Sequence, residues 1–153
     1  MKQQFKSLPG WTYTSEAFFE LEKKELILKN WQLVCHVSNI PEPGNFFTFD
    51  IFNERIFVIR SEDRSVAAFH NFCSHRGTKL IDEVSGTCNH KITCPYHAWG
   101  YDFKGNLIKV PHEDQFKDFN KKDNGLQSVE LEIFQGFIFV KLLESEMPSV
   151  QDQ

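Results

Sequence analysis

Two short stretches of the chain each pair a cysteine with a histidine, and these are the residues best suited to bind a metal. Cys73 and His75 are separated by one residue, whereas Cys94 and His97 are separated by two. Thiolate and imidazole are ligands that soft and borderline transition metals prefer in proteins. The four side chains are therefore a candidate metal site to which each loop contributes one sulfur and one nitrogen.

The spacing within the two pairs bears on whether one metal ion or two are bound. Structural zinc sites usually separate the two ligands of one loop by about two to four residues, so that one turn wraps around a single ion. The gap between Cys73 and His75 is shorter than that. If two metal ions lie side by side, each loop can direct its cysteine to one ion and its histidine to the other. A binuclear site is favoured; zinc, or a chance grouping of buried cysteines and surface histidines, is the alternative.

The composition describes the domain that must position these loops. The 153 residues suit one domain, and 41% of them are hydrophobic, including 16 phenylalanines. Aromatic and β-branched residues favour half-buried strands. The 17 basic and 21 acidic residues give a net charge of -4 and form no basic block, which argues against a nucleic-acid partner. A mostly β fold is expected.

No stretch of the sequence has the character of a membrane span or a secretory signal. The apolar runs at 56–59 and 137–140 are far shorter than the roughly 20 residues that cross a bilayer. The first residues lack the apolar segment of a signal peptide. We therefore expect a cytoplasmic protein without a membrane partner, whose cysteines are free or metal-bound instead of paired in disulfides.

The order of the predicted elements places the two loops after a run of strands. Residues 15–29 predict a helix with Ser15 as its N-cap. From Trp31 onward, apolar stretches separated by polar turns predict an antiparallel meander with sequential pairing, and a last hairpin turns near Gln135 and Gly136. The expected organisation is an N-terminal extension at 1–40, a main domain at 41–143 with its metal-binding part at 71–107, and a polar tail at 144–153 that frays.

The residues around the two pairs resemble the cluster-binding loops of Rieske oxygenases. The stretches CSHRG at 73–77 and CPYHAWGY at 94–101 are similar to the loops that bind a 2Fe-2S cluster in that family, where two histidines replace two cysteines on one iron. NWQLVCHVSNIPEPGNF and VELEIFQGFIFVKL resemble the beginning and end of the N-terminal domain of the α subunit of aromatic ring-hydroxylating oxygenases. The resemblance implies a Rieske-type antiparallel β-sandwich with a two-loop cluster-binding subdomain and an N-terminal helix.

The resemblance also implies roles for individual residues. Cys73 and Cys94 would hold the inner iron, and His75 and His97 the outer iron that accepts and passes one electron. Tyr101 could donate a hydrogen bond to a ligand sulfur, or aromatic rings there could only shield the cluster from water. The further residues implied to lie at the cofactor are Arg76, Gly77, Tyr96, Trp99 and Tyr101.

Two positions depart from the family pattern. The 18 residues between His75 and Cys94 slightly exceed the usual number, and Ala98 stands where glycine is usual. A longer loop costs little free energy, whereas the methyl group of Ala98 could alter local packing. Outside the two loops, we interpret Cys35 as an inert buried thiol, Cys88 as a loop residue, the polar stretch from 112 as a solvated turn, and His36, His70 and His112 as non-ligands.

Sequence also bears on the reduction potential of such a cluster. Respiratory-chain Rieske proteins add a disulfide between the loops and a serine that donates to the cluster, and the corresponding positions here hold Thr78, Tyr96 and Trp99. Hydrogen bonds to the cluster stabilise its reduced form, so a cluster with fewer of them is harder to reduce. We expect a potential toward the low end of the Rieske range, which is roughly -150 to +300 mV.

The resemblance implies electron transfer and no oxygen chemistry within these residues. Complete α subunits also hold a mononuclear iron with two histidines and a carboxylate in a second domain, and no such triad or catalytic domain is recognised in this sequence. We expect electrons to come from a flavin- or ferredoxin-type reductase and to pass to a non-haem iron oxygenase centre. The alternatives are a stand-alone Rieske ferredoxin, or a truncated oxygenase domain with only a structural or binding role.

Overall fold

A computed structural model describes residues 7–117 and 119–152 of the chain, and most of its regular structure is β. A helix, α1 (Glu16–Glu22), continues as a wider π-helical turn (Lys23–Ile27). Short 3-10 turns lie at Gly10–Tyr13, Val37–Asn39, Glu113–Gln115, Lys121–Asp123 and Val150–Asp152. The strands are β1 (Gln32–His36), β2 (Asn45–Ile51), β3 (Glu54–Arg60), β4 (Val66–His70), β5 (Ser85–Thr87), β6 (Ile92–Thr93), β7 (Gly100–Tyr101), β8 (Leu107–Lys109), β9 (Glu130–Phe134) and β10 (Phe137–Lys141).

The strands form three antiparallel sheets, in the orders β1-β10-β9, β4-β3-β2-β5 and β6-β7-β8. Strand β3 shows how the layers stack. Ile56 and Val58 belong to an apolar cluster that includes Ile138 and Val140 of the first sheet, whereas Phe57 and Ile59 belong to the cluster beneath the third sheet. A strand that is buried on both faces needs a continuous apolar run, which explains the sequence IFVI at 56–59. The predicted mostly β, antiparallel fold class is confirmed.

The expectation that sequential strands pair is correct for β2, β3 and β4 but wrong for β1. Strand β1 pairs with β10, so that Gln32 lies opposite Val140. The connection to β2 contains a 3-10 turn and two prolines, Pro41 and Pro43, which do not suit a tight hairpin. The last hairpin does turn at Gln135 and Gly136, as predicted, and this places the edge of β10 beside β1.

The predicted helix and its cap are present. The Ser15 hydroxyl accepts a hydrogen bond from the Phe18 backbone N–H at 3.2 Å, which satisfies one of the free donors of the first turn. Only the first half is α-helical, because the turn at Lys23–Ile27 widens to bring the Leu28 N–H to the Lys23 carbonyl at 3.0 Å. The helix ends beside Asn30, whose side chain donates to the Leu26 carbonyl at 2.6 Å. None of the helices in the described residues is long and apolar enough to span a membrane.

The polar segment after β10 is held in place, although the sequence led us to expect fraying. The Ser145 hydroxyl donates to the Lys29 carbonyl at 2.7 Å, and the Trp31 indole N–H donates to the Pro148 carbonyl at 2.9 Å. The Glu132 carboxylate accepts from the Ser149 hydroxyl at 2.8 Å. The polar side chains thus find partners on the helix end and the first sheet, and residues 144–152 lie against the domain.

A buried asparagine fixes the chain on both sides of the first Cys/His loop. The Asn71 side chain donates to the Ile81 carbonyl at 2.7 Å and accepts from the backbone N–H groups of Leu80 and Ile81 at 3.2 and 3.0 Å. Its own N–H donates to the Arg55 carbonyl at 2.7 Å. Asn71 therefore joins β3 through its backbone and the residues after the loop through its side chain.

We predict that Asn71→Asp destabilises the fold by about 2 kcal/mol or more, because a buried carboxylate cannot donate to the Ile81 carbonyl. Urea unfolding monitored by circular dichroism would measure the loss. The matched control is Asn45→Asp, whose side chain accepts from Glu42 N–H at 2.9 Å and donates to the Thr87 hydroxyl at 2.8 Å. That hydroxyl can reverse and donate, so the control should lose less than about 1 kcal/mol. Equal losses of unfolding free energy in the two variants would contradict the proposed role of Asn71 in fixing the chain around the loop.

Candidate metal centre

The first loop is a turn that two backbone hydrogen bonds of Cys73 close. The Cys73 N–H donates to the Thr78 carbonyl and the Gly77 N–H donates to the Cys73 carbonyl, both at 2.8 Å. Gly77 has a φ of 67°, in the left-handed region that glycine tolerates best. With its backbone satisfied by the turn, Cys73 can direct a buried side chain inward.

The second loop repeats the same hydrogen bonds at the same intervals. The Cys94 N–H donates to the Trp99 carbonyl at 2.8 Å, and the Ala98 N–H donates to the Cys94 carbonyl at 3.0 Å. Ala98 has a φ of 55°, so it occupies the left-handed position that corresponds to Gly77. The two loops therefore have one backbone design, and their different spacings mean only that the histidine stands one position later in the second loop.

The structure brings the four predicted ligands to one end of the domain. Cys73 and Cys94 are buried in the same apolar cluster. The rings of His75 and His97 have their centroids 4.8 Å apart at an angle of 67°. Both Nδ1 atoms are buried and have no hydrogen-bond partner within the described part of the chain. Each such orphaned polar atom costs about 1–3 kcal/mol, which a bound metal would relieve.

This donor set fits an iron-sulfur cluster with two irons. Among residues 7–117 and 119–152, no three His, Cys, Asp or Glu side chains converge as the ligands of a single ion. Two buried thiols on one side and two orphaned imidazole nitrogens on the other are what a Rieske cluster requires. Burial, then the neighbouring His97 and Arg76, lower the pKa of His75 and favour the neutral imidazole, which is the metal-binding form.

Tyr101 and Ser74 form a hydrogen-bonded chain that begins at a predicted ligand. The Tyr101 hydroxyl lies 3.0 Å from Cys73 Sγ and 2.9 Å from the Ser74 hydroxyl, and Ser74 donates to the Asn124 carbonyl at 2.7 Å. Burial raises the pKa of Tyr101, so the phenol keeps its proton. A neutral Cys73 thiol can donate to Tyr101, but a thiolate can only accept. A hydrogen bond between Tyr101 and a Cys73 thiolate therefore has Tyr101 as its donor.

Aromatic rings flank both predicted histidine ligands, and they do so unequally. Trp99 is buried and stacks on His75 with centroids 4.7 Å apart and planes within 10°. Tyr96 lies 3.8 Å from the His97 ring but is 60% exposed. The ring centroids of Phe116 and Trp99 are 6.3 Å apart. Phe116 and both histidines line an open cleft of about 380 Å³. The histidine edges opposite the buried Nδ1 atoms are therefore accessible from this cleft.

Some residues that approach the site were not predicted from the sequence. Phe116 lies within the polar stretch from 112 that was interpreted as a solvated turn, and Phe119 and Asn124 follow it without a motif. The two rings approach Trp99, and the Asn124 carbonyl accepts from Ser74. Cys35 lies on β1 and Cys88 follows β5; burial raises the pKa of each thiol to about 11. His70 lies 3.6 Å from Glu54, and Arg76 is exposed at the rim of the first loop.

A β domain that presents two sulfurs and two imidazoles from a pair of matched loops is the architecture of a mixed-ligand iron-sulfur protein. The family model described as the Rieske [2Fe-2S] domain matches residues 30–129. The chain belongs to this family, and a Rieske-type 2Fe-2S cluster is its cofactor. The predicted family and cofactor are thereby confirmed.

Known relatives carry this domain as part of a longer chain. The chain is 35% identical over 147 residues to the carnitine monooxygenase oxygenase subunit of Acinetobacter baumannii, covering 96% of this chain and 39% of the relative. It is 36% identical over 146 residues to the glycine betaine monooxygenase oxygenase subunit of Pseudomonas aeruginosa, covering 95% of this chain and 33% of the relative. The chain thus spans between a third and two fifths of the length of these relatives.

Solved structures agree with this assignment. The apo form of the quaternary ammonium Rieske monooxygenase CntA matches with a TM-score of 0.88 and 34% identity, over 96% of this chain and 42% of that one. Naphthalene 1,2-dioxygenase with bound indole matches with a TM-score of 0.83 and 35% identity, over 90% of this chain and 31% of that one. The fold is therefore that of the Rieske domain of oxygenase subunits.

We predict that Ala98→Gly stabilises the protein by about 0.5 kcal/mol, because relief of left-handed strain outweighs the entropy that glycine adds to the unfolded chain. The opposite change at the equivalent position of the first loop, Gly77→Ala, should lower the free energy of unfolding by about 1 kcal/mol. The cost comes from the backbone conformation, since a new Cβ there meets no atom within 4 Å. Denaturant unfolding of both variants measures the two effects. A cost-free Gly77→Ala would refute the shared left-handed position.

We predict that Tyr101→Phe lowers the reduction potential of the cluster-loaded protein. The hydrogen bond to Cys73 Sγ stabilises the more negative, reduced state, so its loss disfavours reduction. A difference of about 1 kcal/mol corresponds to roughly 40 mV for one electron. Potentiometric titration monitored by electron paramagnetic resonance gives the value. Tyr96→Phe is the control, since it keeps the ring over His97, and its potential should match the wild type. An unchanged potential in Tyr101→Phe would assign that residue a shielding role only.

Proposed function

We propose that this chain is the electron-transfer domain of a Rieske oxygenase, receiving single electrons from a reductase and passing them to a non-haem iron oxygenase centre. The observation that supports this most directly is the pairing of two buried thiols with two imidazoles whose Nδ1 atoms have no partner in the described residues. A 2Fe-2S cluster bound there supplies reversible storage of one electron. The family match supports the same assignment.

The proposed division of labour follows from burial. Cys73 and Cys94 are 1% and 2% exposed, so they would hold one iron of the cluster away from water. His75 and His97 would hold the other iron with their unpartnered Nδ1 atoms, and both residues line the cleft. Because Trp99 stacks on His75 and lines the same cleft, it would hold the imidazole edge in a fixed orientation toward a partner that accepts the electron. In this proposal Arg76 and Gly77 complete the first loop, and Tyr96 and Tyr101 complete the surroundings of the cluster.

The acceptor is proposed from the relatives. Those named for carnitine, glycine betaine and benzene oxidation share this domain, so electron delivery is the step that we assign to this chain. One solved structure of a quaternary ammonium Rieske monooxygenase is described in terms of inter-subunit electron transfer. We propose a flavin- or ferredoxin-type reductase as donor and a mononuclear iron domain as acceptor, within the cytoplasm. In this view 1–40 is an N-terminal extension that packs on the cluster domain at 41–143, with its strand β1 paired to β10.

Electron paramagnetic resonance tests the proposed function. Anaerobically purified protein should contain iron and sulfide, and after dithionite reduction it should give a rhombic signal with the low average g value of mixed His/Cys ligation. His97→Ala should abolish this signal, because the outer iron loses a ligand. Cys35→Ser should leave it unchanged, since that thiol lies on β1. Stoichiometric zinc without iron, or an unaltered signal in His97→Ala, would overturn the assignment.

A further inference from the structure

The face of the third sheet that is turned away from the apolar cluster carries two lysines, Lys91 and Lys109. Thr93, Gly100 and Lys109 lie side by side across β6, β7 and β8. Lys91 extends over Gly100, since a Cβ added to that glycine would lie 3.1 Å from Lys91 Cδ and 3.1 Å from Lys109 Cβ. The two lysine side chains therefore run beside each other over a position without a side chain. We call Lys91, Thr93, Gly100 and Lys109 the lysine face.

Within residues 7–117 and 119–152, no carboxylate forms an ion pair with the two lysines of this face. Between residues 88 and 112 the acidic residue is Asp102, and its carboxylate accepts from Lys104 N–H at 2.9 Å and from Asn106 N–H at 2.8 Å. The chain as a whole carries a net charge of -4. The lysine face is thus a basic surface on an acidic protein.

Residues of the lysine face are direct sequence neighbours of residues at the cluster site. On either side of Gly100, Trp99 stacks on His75 and Tyr101 contacts Cys73 Sγ. Thr93 precedes Cys94 directly. The inner residues of the same strands, Ile92 and Leu107, pack in the apolar cluster that contains both cysteines. A protein docked on this face is therefore separated from the cluster site by one layer of β-structure, while the histidine cleft remains open.

We propose that the lysine face is the docking surface for the electron donor, and that this donor is an acidic protein carrying a one-electron centre. The inference rests on the proposed electron-transfer function and adds where the electron enters. Complementary charge accelerates and orients the encounter of such partners. Entry through the sheet and exit through the histidine cleft allow a donor and an acceptor to be bound at the same time. Exposed Ile108, beside Lys109, offers the small apolar contact that transient redox complexes use.

The test is the rate at which a reduced acidic plant-type 2Fe-2S ferredoxin reduces the cluster-loaded protein in a stopped-flow instrument. The double variant Lys91→Glu/Lys109→Glu should lower the second-order rate constant about tenfold at low ionic strength, and the difference should shrink as salt screens the charges. Lys91→Arg/Lys109→Arg should retain the wild-type rate. The matched control, Lys24→Glu/Arg64→Glu, changes the net charge equally at side chains that are 74% and 68% exposed.

The outcomes separate this proposal from the proposed function. An unaltered resonance spectrum and reduction potential in the double variant show that its cluster is intact, so a slower reaction then reports docking. An equal rate in wild type and double variant, or an equal loss in the matched control, would overturn the lysine face as the entry site. A wild-type cluster that dithionite reduces but the ferredoxin does not would overturn it as well. A wild-type protein without a cluster would instead refute the electron-transfer function.

Discussion

The structure depends on a turn that satisfies the backbone of a cysteine while leaving its side chain free to bind a metal. In both loops the cysteine N–H and carbonyl are tied within the turn, at residues five and four positions later. The cost is a left-handed residue in each turn, Gly77 and Ala98. Two copies of the turn, facing each other, deliver two sulfurs and two imidazoles without unpaired cysteine backbone in the core.

The two turns are held against each other by contacts between unlike residues. Trp99 of the second loop stacks on His75 of the first, and Tyr101 just beyond it reaches Cys73. These contacts tie the loops together, but they leave both histidine Nδ1 atoms without a partner in the described chain. The fold thus holds the four donors together, and a metal bound at the two Nδ1 atoms would supply the partners that the protein does not.

The sequence predicts the features that depend on neighbouring residues. It does not predict the pairing of distant strands or the residues that reach the site from a stretch without a pattern. The Ser15 cap and the β9-β10 turn depend on adjacent residues, and the structure contains both. The pairing of β1 with β10 joins residues about a hundred positions apart, which no local pattern encodes. The left-handed conformation of Ala98 was not predicted, because alanine rarely adopts it, although glycine is usual at this position in the family. Phe116 approaches the site from a stretch whose composition indicates only solvent exposure.

The hydrogen bonds between the helix end and the last segment have a mechanical consequence. Lys29 bonds to Ser145 and Trp31 to Pro148, and Gln32 at the start of β1 lies opposite Val140 near the end of β10. The chain therefore enters and leaves the β domain at one corner. A force that pulls the two ends apart would peel β1 from β10 one rung at a time, which requires less force than shearing all rungs together. The Cys/His loops lie between β1 and β10 in the sequence. The β1-β10 hydrogen bonds would therefore bear the force before the loops do.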